Sequence, residues 1–262
     1  MKLQAIVAAL AALVALPVSA AYTIDGNLSD WAINSVSYIP GKQIKGYTID
    51  TDSTGGAGVY VNPGWGGQAY DAEALYIDSD SSTLYLALIT GHNPDMTNSN
   101  GWAPGDFLID FGRDGLFEYA LKTTGADKGL LFKIDRASDL NFGLFNKQGT
   151  PYPGGHNVVS LKDNKGTLIA GNTSLATSVP FTGYGEYQSD VHYAYEASID
   201  LSLFDVKYRN SAFDVQWAMQ CGNDVITADP IAGFVPEPTS LALFGLAMVG
   251  LGLSSRRSKP TV

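Results

Sequence analysis

The sequence predicts an all-β protein: a single antiparallel β-sandwich of jelly-roll or immunoglobulin-like type, with a short apolar helix added at each end. Three observations lead to this class. Between residues 22 and 235, Gly, Asn, Asp, Ser and Thr interrupt the chain about every 8 to 12 residues, and Tyr, Phe, Val and Ile fill the runs between them. Two late segments alternate apolar and polar residues with the period of a strand. Helix signals are nearly absent from the same stretch.

The two ends stand apart from this pattern. Residues 1–20 read as a secretory signal peptide. Lys2 supplies a positive start, an apolar run broken only by Gln4 follows, and Pro17 precedes Val18-Ser19-Ala20 at the cleavage positions. Cleavage between Ala20 and Ala21 begins the mature chain. At the other end, Pro236-Glu237-Pro238 precedes an apolar segment without a charge from 241 to 253, then Arg256, Arg257 and Lys259. Thirteen helical residues rise only about 20 Å, short of the roughly 30 Å bilayer core. Adding the hydroxyl residues on both sides gives a membrane helix at about 239–255, ahead of a basic tail at 256–262 that stays cytoplasmic.

Residues 21–235 are long enough for one well-buried domain. Four of the 16 Lys and Arg and one of the 26 acids lie outside it, leaving 12 bases against 25 acids and a net charge of −13. Such a charge excludes nucleic acid and anionic lipid as partners. Cys221 is the sole cysteine, so no internal disulfide can form, and its strand phase marks it as a buried thiol.

Taken in order, Tyr22-Thr23-Ile24 forms a short strand. Asp25-Gly26 turns the chain, Ser29 or Asp30 caps a helical turn, and Trp31 folds over the sandwich edge. Residues 41–70 read as one long loop with a strand near Ile49. Strands at 74–77 and 83–90 flank the polar turn 78–82, and the apolar run 84–89 marks a central strand. A second hairpin joins 106–111 to 116–122 through Gly112-Arg113-Asp114-Gly115. Further strands are expected at 129–134, 158–162 and 168–170. In the last two, Val191, Tyr193, Tyr195, Ala197 and Ile199 share one face, as do Phe213, Val215, Trp217, Met219 and Cys221.

The tail resembles the PEP-CTERM sorting signal of Gram-negative bacteria that make extracellular polysaccharide. The Pro-Glu-Pro triplet, the glycine-containing apolar run and the terminal arginine pair stand in the family's order. The resemblance implies that exosortase, a membrane-embedded cysteine-dependent transpeptidase, cuts near Pro236–Pro238. The protein would then pass from an inner-membrane intermediate to the cell surface, outer membrane or extracellular matrix. A second resemblance runs through Ile24-Asp25-Gly26, Asp30-Trp31, the strand at 84–89, the hairpin at 106–118 and the strand at 195–201. These look like the scaffold of family 9 carbohydrate-binding modules and related DOMON-like sandwiches, with extracellular polysaccharide as the implied partner.

Candidate chemistry is sparse. Calcium is the cofactor to expect, because hard oxygen ligands in acidic loops suit it. Asp110, Asp114 and Glu118 surround the second hairpin turn. Asp50 and Asp52 open an EF-hand-like run whose twelfth position is Val61 instead of an acid. Asp and Gly are also ordinary turn residues. Trp65 and Trp102 sit in loop sequence, as stacking faces for a sugar or as lids on the core. His92, His156 and His192 lack metal-binding spacing, and no nucleophile elbow, Walker loop or dinucleotide fingerprint occurs. The sequence therefore points to a non-catalytic exported surface or matrix protein. The alternatives are a carbohydrate-binding module and a hydrolase using a carboxylate pair.

Overall fold

The computed structural model describes residues 22–50, 56, 58–99, 101–145, 156–208 and 211–230. The signal helix, the membrane helix, Ala20, Ala21, Asp52, Pro236, Glu237, Pro238, Arg256 and Arg257 lie outside the described residues. Among the described residues, no helix is long and apolar enough to cross a membrane.

The strands are β1 (Gly46–Ile49), β2 (Tyr60–Val61), β3 (Gly64–Trp65), β4 (Ala72–Ser79), β5 (Thr83–Thr90), β6 (Phe107–Phe111), β7 (Tyr119–Leu121) and β8 (Leu131–Lys133). They continue with β9 (Leu140–Phe142), β10 (Val158–Leu161), β11 (Thr167–Ile169), β12 (Thr173–Thr177), β13 (Tyr193–Asp200), β14 (Phe213–Ala218) and β15 (Val225–Ala228). One sheet runs β1-β4-β5-β13-β12 and the other β11-β8-β7-β6-β14-β15. Every pairing is antiparallel.

Three apolar layers result. Between the sheets lie Leu75, Ile77, Leu84, Leu86, Leu88 and Tyr195 against Phe107, Ile109, Val215 and Trp217, with Cys221 at one end. The outer face of the first sheet carries Tyr76, Tyr85, Ala87 and Ile89, covered by Tyr22, Leu28, Trp31 and Tyr38 of the N-terminal segment. The β9–β10 hairpin covers the second sheet, with Leu140 and Leu161 over Leu108 and Ala120. Being buried on both faces is why β5, the middle strand of its sheet, is apolar throughout.

Several expectations need correction. Trp31 packs on the outer face of the first sheet instead of its edge, because its indole donates to the buried Glu196 Oε1 at 2.9 Å. The helical turn Leu28–Trp31 is capped by Asn27, which accepts from Ser29 N. Residues 41–70 hold the small hairpin β2–β3 as well as β1. Val191 is exposed because β13 begins at Tyr193. Leu116 is exposed too, since Glu118 Oε2 takes the Phe111 amide at 2.6 Å and β7 starts only at Tyr119.

The chain leaves the sandwich beside β1. Strand β15 begins next to Ala72, whose amide donates to Asp224 Oδ2 at 2.5 Å. It is followed by Asp229 and Pro230, packed so tightly on Gly46 that a Cβ there would lie 2.7 Å from Asp229 O. Arg113 ion-pairs with Asp214 at 3.1 Å and with Asp229, and donates to Pro230 O at 3.0 Å.

Candidate binding cleft

A β-bulge creates the centre of the site. Ala72 pairs with Thr90 and Ala74 with Ile89, so Glu73 is the extra residue of β4. The inserted residue shifts the phase: Ala72 faces the core between the sheets, whereas Ala74 faces the outer layer. Glu73 is thereby turned outward, beneath the N-terminal segment.

Three segments bring donors to its carboxylate. His192, on the run entering β13, places Nδ1 2.9 Å from Oε1 and 2.8 Å from Oε2. Gln68, on the helical turn Gly67–Tyr70, donates to Oε1 at 2.7 Å. The Tyr38 hydroxyl donates to Oε2 at 2.9 Å, and burial followed by the Glu73 charge pushes its pKa up. Tyr38 has a positive φ of 58°, a strained backbone for a residue with a side chain. The Tyr76 hydroxyl holds its carbonyl at 2.6 Å.

Two glycines let these segments meet. A Cβ on Gly91 would lie 1.6 Å from Gln68 O, so the turn carrying Gln68 fits only against a bare backbone. Gly185, at φ +68°, lies under Tyr38, and a Cβ there would stand 2.8 Å from the phenol oxygen.

Above this floor opens a cleft of about 240 Å³. Tyr38, Tyr184 and Tyr187 wall it, and Tyr184 packs edge-on against Phe181 with centroids 5.1 Å apart. Asp50, Asp71, Glu186 and Asp190 complete the lining, and no lysine or arginine lines it among the described residues. Beneath Asp71 lies the buried Asp224. Burial, then the Asp71 charge, raises its pKa well above the usual carboxylate range, and a side-chain hydrogen bond joins the two.

The residues expected from sequence are placed elsewhere, apart from Asp50. Asp110 accepts from Asp114 N at 3.2 Å and Gly115 N at 2.7 Å, and Asp114 accepts from Leu116 N at 2.9 Å. These carboxylates and Glu118 bind backbone amides of their own turn. Burial, with Asp110 and Asp114 nearby, raises the Glu118 pKa to about 7. Among the described residues, no group of three or more His, Cys, Asp or Glu is placed to hold a metal ion. Trp65 stands on β3, 60 % exposed and edge-on to Tyr60. Trp102 is 39 % exposed, in a loop held by Asn98 to Ala103 N at 2.9 Å. Trp217 and Cys221 are buried in the core, as their phase predicts.

Glu73, His192, Gln68 and the tyrosines were not legible as a site. His192 and Glu196 fall on the polar phase of β13, which reads as a solvated face. One usable signal was the run Gly183-Tyr184-Gly185-Glu186-Tyr187, aromatic and acidic between glycines.

Residues 234–257 match the PEP-CTERM protein-sorting motif. No curated protein matches the chain in sequence. Among solved structures, the chain is similar to a family 9 carbohydrate-binding module from Caldicellulosiruptor kristjanssonii in complex with cellotriose. The identity is 13 %, the TM-score 0.31, and the match covers 80 % of this chain and 78 % of that one.

Proposed function

We propose that this chain, bearing its sorting motif at 234–257, is exported, processed by exosortase at Pro236-Glu237-Pro238 and delivered to the cell surface. There it acts as a non-catalytic β-sandwich that holds extracellular polysaccharide in the cleft. The observation that carries this reading is the cleft's composition: three tyrosine rings around carboxylates. Aromatic faces stack on pyranose C–H groups, and carboxylates accept from sugar hydroxyls. Its volume is below the roughly 300–1,000 Å³ of sites for whole drug-sized ligands. That suits one ring of a longer chain running past the open mouth. Both Glu73 oxygens are engaged by Tyr38, Gln68 and His192, which favours a scaffolding carboxylate over a nucleophile or general base.

Calorimetric titration with a panel of neutral, acidic and amino-sugar oligosaccharides tests the binding. We expect at least a tenfold loss of affinity in Tyr184→Ala or Tyr187→Ala. A panel with no binder, or affinity unchanged in both variants, overturns the assignment. Mass spectrometry of the surface protein tests the sorting. The expected C-terminus lies near residues 236–238, and recovery of an intact 256–262 refutes processing.

A further inference from the structure

Every donor described at the cleft floor is turned inward. Gln68 gives its amide hydrogens to Glu73 Oε1 and, at 3.1 Å, to Val191 O. Tyr38 gives its hydroxyl hydrogen to Glu73 Oε2, and His192 presents Nδ1 to the same carboxylate. In the neutral tautomer that donates from Nδ1 to Glu73, Nε2 is an acceptor. That Nε2 belongs to a ring only 2 % exposed that lines the cleft, and it has no partner among the described residues. A buried acceptor without a partner calls for a donor from the ligand.

The lining has the same polarity. Glu186 and Asp190 stand at the mouth and Asp50 and Asp71 beside the floor, and the described lining contains no lysine or arginine. A domain of net charge −13 adds a field that repels anions. The tyrosine walls suit a cation as well, because the negative face of an aromatic ring attracts one. An ammonium group brings three donors and one positive charge and accepts nothing. A carboxylate or an N-acetyl carbonyl is an acceptor, and would find donors here only in the serine and tyrosine hydroxyls of the lining.

We propose that the cleft selects an amino sugar with a free, protonated amine, as in a deacetylated hexosamine polymer, over neutral, N-acetylated or uronate chains. The inference rests on the saccharide-binding reading above. Four matched probes test it: pentamers of glucosamine, N-acetylglucosamine, glucose and galacturonate. They are titrated into the surface protein at a pH where the amines are protonated, at low and high salt. The glucosamine pentamer should bind at least tenfold more tightly than the glucose pentamer, and its advantage should shrink with salt. Glu186→Gln and Asp190→Asn, both changes at the mouth, should reduce that advantage, and an advantage unchanged in both variants overturns the charge selection. Equal affinity for the glucosamine and glucose pentamers, or tighter binding of the N-acetylated or galacturonate probe, overturns the charge selection and leaves saccharide binding standing. Failure of all four probes overturns both.

Discussion

The turn at residues 110–118 and the cleft around Glu73 are both built on carboxylates accepting hydrogen bonds, yet they do opposite things with them. Asp110, Asp114 and Glu118 take backbone amides from within a few residues, so their reach is local and their product is a hairpin. Glu73 takes side-chain donors from Tyr38, Gln68 and His192, the last 119 residues away. Its product is a fixed arrangement of rings around a cavity. The lesson is one of range: an acid that serves its own turn completes the backbone, whereas one that gathers distant donors makes a surface with chemical character.

The largest expected effect breaks the long-range side. Glu73→Ala leaves the buried Tyr38 and His192 and the half-buried Gln68 without their acceptor, at a cost of about 3 kcal/mol. Urea unfolding should show it, together with loss of saccharide affinity. Gly91→Ala attacks the same arrangement from the backbone. Because the new Cβ collides with Gln68 O, the helical turn must shift, at about 2 kcal/mol in the same assay. Affinity that survived Gly91→Ala would show that Gln68 need not sit where it does.

A pH series separates the two regions more finely. Glu118, in the turn, and Glu196, under Trp31, both have pKa values raised from 4.5 to about 7, first by burial. A carboxyl raised in this way binds its proton more tightly when folded. Its contribution is complete below about pH 4.5 and lost as the pH climbs towards 7. The thermal midpoint should therefore fall by a few degrees across that window. Glu118→Gln should flatten part of the slope without touching ligand affinity. A midpoint that rises across the window contradicts the assignment. The smallest effect belongs to Asp114→Ala, which loses one exposed turn hydrogen bond worth about 0.5 kcal/mol and should leave binding unchanged.

The same distinction of range decides what could be read from the sequence. β5, β13 and β14 were legible because their side chains alternate or stay apolar over six or more residues. The hairpin at Gly112–Gly115 was legible because its turn residues are adjacent. β12 was missed because Thr173-Ser174-Leu175-Ala176-Thr177 is a half-buried edge strand with little apolar contrast, and β9 and β15 are too short to show a period. The cleft was missed for a different reason. Nothing near His192 marks it as covered, because the cover comes from residues around Tyr38 and Tyr184. The phase change at Glu73 comes from a single inserted residue that no pattern in Ala72-Glu73-Ala74 announces.

The clamp of Arg113 on Asp229 and Pro230 also fixes an orientation. The cleft lies where β1 ends and β4 begins, while the chain departs at the far end of both strands, beside Gly46. From Pro230 to Pro236 is six residue steps, at most about 20 Å when fully stretched. On the sorting reading proposed above, that reach is all the chain between the exit end and the cleavage motif. The tyrosine-walled mouth therefore lies at the end of β1 and β4 opposite the point where the chain leaves them.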